Sequence, residues 1–123
     1  MGFDAWWVPD VPLDDGEQVT LEILANHTVS RWRAVGGKLA LTDRRLRFRP
    51  NRVDRSLGGE VWSVPLDQIA DVGRQPRTWN LFDGGLRTRL RVTTRDGAAH
   101  LFVVNRLGRV VDAIAAARGG LPV

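Results

Sequence analysis

Residues 36–50, with the sequence GGKLALTDRRLRFRP, contain the pattern that decides the fold. Two leucines in this stretch alternate with polar or small residues, and then Leu46 and Phe48 alternate with three arginines. Successive side chains of a strand point to opposite faces, so each run predicts a strand with one buried face. Pro50 ends the second run because it lacks the backbone N–H that a sheet ladder requires. The stretch therefore predicts two short strands, with Gly36-Gly37 as a turn before the first.

The same short, alternating pattern extends on both sides of this stretch and is bounded by turn residues. Asp96-Gly97 stands where a two-residue type I′ hairpin requires positive φ, and Asn26–Gly37 is the expected loop between the first two strands. Apolar residues take helical spacing only after Asn105, the expected N-cap, and Gly119-Gly120 ends that helix. The further predicted strands cover residues 19–25, 61–64, 69–72, 86–92 and 99–104.

This order of elements predicts a mainly β domain of about seven short strands followed by one C-terminal helix. Strands and helices do not alternate, which argues against a parallel α/β sheet. A chain of 123 residues is long enough for one core, and the absence of cysteine fits a reducing compartment, so we expect a cytoplasmic protein. We expect an acidic and aromatic N-terminal segment at 1–15, one folded domain at 16–119 and a C-terminal tail at 120–123.

The order of residues between 36 and 72 resembles that of the GRAM domain, a member of the pleckstrin-homology-like superfamily. The matching positions are Gly37, Leu39, Leu41, Thr42, Arg45, Leu46, Phe48, Val64, Pro65, Leu66, Ile69 and Val72. Leu90-Arg91-Val92, Asp96-Gly97 and Phe102-Val103-Val104 resemble the closing hairpin of the family. The resemblance covers residues 16–117 and implies a partly open barrel of about seven antiparallel strands in two near-orthogonal sheets, capped by one C-terminal α-helix. It also implies a module that binds anionic lipids, peptides or protein partners.

Charge is segregated along the chain although the net charge is only +4. Residues 1–30 hold six acidic and no basic residues (−6), whereas residues 31–55 hold nine basic and two acidic residues (+7). The arginine alternation at 45–49 predicts an anion-binding face or, alternatively, a solvated face that discourages edge pairing. Acidic residues from the first thirty positions would cancel this face if they paired with it internally. The expected anion- or lipid-binding residues are Arg31, Arg33, Lys38, Arg45, Arg47, Arg49, Arg52 and Arg55, with Arg87, Arg89 and Arg91 as a second basic stripe.

Aromatic residues supply a further set of candidate contacts. Trp6 and Trp7 are expected to lie over the barrel as an extra strand or lid, to anchor at a membrane interface or to dock on another protein. Trp32 and Trp79 fall in predicted loops and are candidate contact residues. The chain shows no nucleophile, paired-carboxylate or metal-ligand pattern, so we expect no catalytic residue, no metal, no cofactor and no enzymatic activity.

These features favour a non-enzymatic binding module of GRAM type that is recruited to an anionic membrane surface or an acidic protein partner through its arginine-rich face. Peripheral association with a membrane is consistent with a cytoplasmic location. Two alternatives remain at this stage: single-stranded nucleic-acid binding, with arginines on phosphates and tryptophans stacked on bases, and an adaptor or oligomerisation domain without a small ligand.

Overall fold

The structure is a computed structural model that describes residues 12–30, 33–52, 61–76 and 88–119. These residues form seven strands and a C-terminal helix, and the 3-10 helix Leu66–Gln68 joins the fourth strand to the fifth. The elements are β1 (Val19–Ser30), β2 (Arg33–Thr42), β3 (Arg45–Pro50), β4 (Trp62–Pro65), β5 (Ile69–Gln75), β6 (Arg89–Thr94), β7 (Ala99–Val104) and α1 (Leu107–Gly119).

All seven strands pair antiparallel in one continuous sheet with the order β4-β3-β2-β1-β7-β6-β5. Strand β1 joins the two halves, because it pairs with β2 along its length and with β7 only over residues 25–28. The end strands β4 and β5 do not pair with each other, so the sheet is not closed. The prediction of a mainly β, partly open arrangement of seven antiparallel strands with one C-terminal helix is confirmed, and the hydrogen bonding joins all seven strands into one sheet.

A single apolar core explains why the sheet curls. Both end strands contribute to it, with Val64 from β4 and Ile69 from β5. The predicted alternation is confirmed in β3, whose Leu46 and Phe48 are 1% and 0% exposed. Because one cluster contains residues of every strand, the two end strands lie near the same apolar interior.

The predicted helix is confirmed, and it closes this core from the side of β5 and β6. Val110 and Ile114 point into the core and are almost completely buried. The N-cap differs by one residue from the prediction, because the Arg106 carbonyl accepts the first helical hydrogen bond from the Val110 N–H at 3.2 Å. Arg106, which has a φ of 54°, directly precedes the first helical residue Leu107 and is therefore the N-cap, one residue after Asn105.

The predicted loop Asn26–Gly37 is wrong, because β1 continues to Ser30 and β2 already begins at Arg33. Gly36-Gly37 lies inside β2 and does not form a turn. A Cβ atom on Gly37 would stand 2.3 Å from the Arg49 carbonyl oxygen and 2.8 Å from the Phe48 ring. The glycine is needed because β3 passes too close for any side chain, a requirement that the sequence pattern does not distinguish from a turn.

Among the described residues, no helix is both long enough and apolar enough to cross a membrane.

Candidate anion-binding site

The centre of the candidate site is Ala40, on the outer face of the sheet. Strand register places Arg47 directly beside Ala40, and it places Arg49 beside Lys38 one step further along β2. The small methyl group of Ala40 leaves a depression between these long side chains, and a pocket of about 130 Å³ opens there. Lys38, Arg47 and Arg49 therefore converge on one small pocket. The other lining residues are Leu13, Val19 and Glu22.

The pocket has a positive balance, with three cationic groups and one carboxylate in its lining. Glu22 lies 3.6 Å from Lys38, measured from Oε1 to Nζ, and about half of the Glu22 side chain is exposed. An ion pair this exposed contributes at most about 1 kcal/mol, so it holds the lysine in place only weakly. Arg47 is 8% exposed and its Nη1 atom is buried, so most of this side chain, including part of its guanidinium group, forms the pocket wall.

Arg45, the first arginine of the predicted stripe, is engaged inside the protein. Its Nε and Nη2 atoms donate to the two carboxylate oxygens of Glu17, each at 2.9 Å, in a bidentate pair. The Glu17 side chain is fully buried and also accepts a 2.6 Å hydrogen bond from the Thr42 hydroxyl. The Arg45 hydrogen bonds, assisted by Thr42, outweigh burial and lower the pKa of Glu17 to about 2. An acidic residue from the first thirty positions thus pairs internally with the arginine-rich face at Arg45.

The chain before Glu17 lies against the same end of β3. The backbone carbonyl oxygens of Pro12 and Asp15 accept hydrogen bonds from Arg45 and Arg44, at 3.0 and 2.8 Å. These contacts hold residues 12–17 beside the pocket, where Leu13 forms part of the wall. No period or motif in the sequence places this segment, because its contacts depend on carbonyl groups and on one long-range ion pair.

The two arginine stripes do not share one surface. Strands β2, β1 and β7 lie between β3 and β6, so the stripes are four strand spacings apart, on the order of 19 Å. Arg89 is 3% exposed, and Arg91 donates to the Gln75 side chain at 3.2 Å. Arg52 is exposed just beyond β3 and does not line the pocket. The remaining predicted contacts lie outside the described part of the structure: Trp6, Trp7, Arg31, Trp32, Arg55, Trp79, Arg87 and the side chain of Arg33.

A second cluster, not anticipated from the sequence, brings the two histidines together on the inner face. The His27 ring stacks on Phe102 at 4.5 Å between centroids and lies 6.0 Å from His100, which in turn lies 4.8 Å from Trp62. Burial among these rings lowers the pKa of His27 to about 4, with a smaller contribution from His100. At neutral pH this cluster is therefore an uncharged aromatic packing unit. Strand register, which pairs His27 with Phe102, would have revealed it.

The Trp62 and His100 rings also border a cleft of about 350 Å³ between β4 and the β6–β7 turn. Its rim is polar, with side chains from Gln68, Thr94 and Asp96. Asp96 is held by the Thr94 hydroxyl and the Ala98 N–H. Among the described residues, no three His, Asp, Glu or Cys side chains come together as a metal site would require.

No protein-family profile and no curated protein matches this sequence. Solved structures do match. The C-terminal domain of an unknown protein from Leishmania infantum superposes with a TM-score of 0.64 at 16% identity, over 85% of this chain and 86% of that one. The Vps36 N-terminal PH domain superposes with a TM-score of 0.59 at 16% identity, over 94% and 95% of the two chains. The linker-DH/PH structure of p115-RhoGEF gives 0.63 at 12% identity, over 88% of this chain, which spans about a third (31%) of that one. At these identities the likeness concerns the fold alone, which this chain shares with the PH domain of Vps36.

Proposed function

We propose that this protein is a non-enzymatic binding module of the GRAM type, recruited to an anionic surface in the cytoplasm through its arginine-rich outer face. The convergence of Lys38, Arg47 and Arg49 on the pocket around Ala40 is the observation that carries the proposal. Guanidinium groups favour phosphate and carboxylate oxygens because their planar forks donate paired hydrogen bonds. The PH-like fold supports a binding role, since PH domains are generally binding modules.

The pocket lining also argues against the commonest nucleophilic chemistry at this site. Its described residues include no serine, cysteine or histidine, so no Ser–His or Cys–His pair is present there. They include no aromatic ring on which a base would stack, and this disfavours the single-stranded nucleic-acid alternative at the pocket.

The magnitude of the electrostatic attraction is modest. Each basic residue near an anionic surface contributes about 1 kcal/mol, so three contribute about 3 kcal/mol. A millimolar dissociation constant requires about 4 kcal/mol, and the three cations alone therefore give binding weaker than millimolar. A soluble anion should show the site only at millimolar concentration, and the affinity should fall with added salt.

The proposal is tested by titrating the ¹⁵N-labelled protein with pyrophosphate and following amide chemical shifts. We expect the largest shifts at residues 38–40 and 47–49, because these backbone segments surround the pocket. Arg49→Glu should abolish the shifts. Arg109→Glu is the matched control, since Arg109 is exposed on α1 and the charge change is the same. Shifts that are absent, or that persist unchanged in Arg49→Glu, would refute the anion-binding role.

A further inference from the structure

The cationic pocket is accompanied by exposed aliphatic side chains. Leu13 and Val19 line the pocket and are each 46% exposed, and Leu24 is 63% exposed. Leu24 does not line the pocket, but strand register places it directly beside Lys38, which does. These three are the exposed large apolar side chains of the described part of the chain, and they all lie on the outer face of β1–β3 or at its border. Exposed apolar groups that gather around one charged site indicate a contact surface.

The arrangement fits a lipid surface better than the centre of a protein interface. The core of a protein interface is apolar and depleted of charged residues. Here Glu22 stands between Val19 and Leu24 along β1, and Lys38 stands beside Leu24, so aliphatic and charged groups are interleaved on this face. The boundary of a bilayer offers phosphates and acyl carbons within a layer of about 5–10 Å, and therefore accommodates both kinds of side chain together.

We propose that the outer face of β1–β3 is a membrane-docking surface, on which Lys38 and Arg49 contact lipid phosphates beside the pocket wall formed by Arg47, while Leu13, Val19 and Leu24 enter the headgroup–acyl boundary. The inference rests on the proposed function and names its partner, an anionic bilayer. Burial of the aliphatic groups supplies the affinity that the three cations lack. The sheet then lies with β1–β3 on the bilayer, and α1, which packs against β5 and β6, stands away from it.

This geometry sets the expected size of each effect. A half-exposed leucine that enters the boundary strengthens binding about five-fold, so Leu24→Asn should weaken vesicle binding by that factor. Arg49→Glu should weaken it more strongly, because the substitution removes one attractive charge and adds a repulsive one. Glu22 is the unfavourable group on this face, since its carboxylate meets an anionic surface. Glu22→Gln should therefore bind about five-fold more tightly than the wild type.

The absence of cysteine allows a direct measurement of which face inserts. Leu24→Cys carries an environment-sensitive nitrobenzoxadiazole label at an exposed position, and Ala116→Cys on α1 carries the same label as the control. The label is read with two kinds of vesicle: pure phosphatidylcholine, and phosphatidylcholine with about 30% phosphatidylserine, which makes the surface negative like that of a cytoplasmic leaflet. We expect enhanced fluorescence at position 24 with the anionic vesicles and little change at position 116. Thermal unfolding by circular dichroism checks that each variant is folded.

Each other outcome refutes a specific part of the reasoning. Equal responses at positions 24 and 116, or unaltered binding of Leu24→Asn, would overturn the docking face. If pyrophosphate shifts the amide signals at the pocket but the protein does not bind vesicles, the bilayer is not the partner and the anion-binding function still stands. The same conclusion would follow if poly-glutamate, but not vesicles, shifted those amide signals. Vesicle binding that is unchanged in Arg49→Glu would instead refute the anion-binding function itself.

Discussion

The buried pair of Glu17 and Arg45 gives the sharpest test of how the start of the domain is held. The native environment lowers the pKa of Glu17 from an ordinary 4.5 to about 2. Since each pKa unit corresponds to about 1.4 kcal/mol, folding favours the carboxylate by about 3 kcal/mol. Glu17→Gln removes this charge and turns an amide N–H₂ or a single oxygen toward the guanidinium of Arg45, whose side chain is 16% exposed. We expect the substitution to lower the free energy of unfolding by about 3 kcal/mol at pH 7.

The pH dependence of this effect has a definite sign. A carboxyl group whose pKa is lower in the folded state stabilises the fold above its unfolded pKa, and this stabilisation disappears as pH falls through the folded pKa. For Glu17 the window lies between pH 4.5 and about 2. The difference in stability between wild type and Glu17→Gln should therefore be constant from pH 7 to about 5 and should shrink steadily below pH 4.5.

Urea unfolding followed by tryptophan fluorescence at several pH values measures this difference. Glu22→Gln serves as the control, because Glu22 forms only an exposed 3.6 Å pair with Lys38 and should change stability by no more than about 1 kcal/mol at any pH. A loss of less than about 1 kcal/mol for Glu17→Gln at pH 7 would show that the pair does not hold the segment. A difference that stays the same at pH 2.5 would show that ionisation of Glu17 is not its cause.

Further predictions concern the core and the aromatic cluster. Gly37→Ala should destabilise the domain by about 3 kcal/mol or more in urea unfolding, because the added Cβ would stand 2.3 Å from the Arg49 carbonyl oxygen. Gly119→Ala is the control and should not destabilise the domain, because the space around Gly119 is open. Equal losses of stability in the two variants would contradict the close approach of β3 to Gly37. Ile114→Ala, at a side chain that is 0% exposed, should cost about 2–5 kcal/mol, and a loss below 1 kcal/mol would show that α1 is not essential to the core. Burial lowers the pKa of His27 from 6.5 to about 4, so as pH falls the unfolded chain binds a proton at this residue before the folded protein does. The free energy of unfolding should therefore decrease between pH 6.5 and about 4, by about 1–2 kcal/mol once solvent screening is included. His27→Phe should reduce this pH dependence, measured by the urea midpoint, and an unchanged slope would exclude His27 as its source.

Much of the fold follows from local patterns because those patterns report which side of a strand or helix is buried. The alternation of Leu46 and Phe48 with arginines and the helical spacing of Val110 and Ile114 each have a direct counterpart in the structure. The predicted two-residue type I′ turn at Asp96-Gly97 is wrong, because Gly97 has positive φ and Asp96 does not, and four residues join β6 to β7. The glycine pair in β2 does not form the predicted turn, because a turn and a close strand approach both require glycine and the pattern is the same for both. Only the position of the neighbouring strand separates the two cases.

The candidate site depended more on tertiary structure. The sequence marked Lys38, Arg47 and Arg49 as basic positions, but the pocket exists because strand register sets them around Ala40. The same three-dimensional arrangement assigns Arg45 to an internal ion pair, although it belongs to the same alternating stripe. Identical residue types at identical spacing thus take different roles, since their roles depend on partners far away in the chain.

Patterns along the chain alone predict a β-rich fold with a C-terminal helix and show that negative and positive charges lie in successive segments. Those properties are local, because periodicity and charge are read along the chain. The fold brings distant groups together: Glu17 reaches Arg45 across 28 positions. Leu13 and Val19 line the pocket of Lys38, Arg47 and Arg49, and Leu24 lies beside Lys38. The physical reason is that ion pairing and burial depend on distance in space, and antiparallel register brings together residues that the sequence keeps apart.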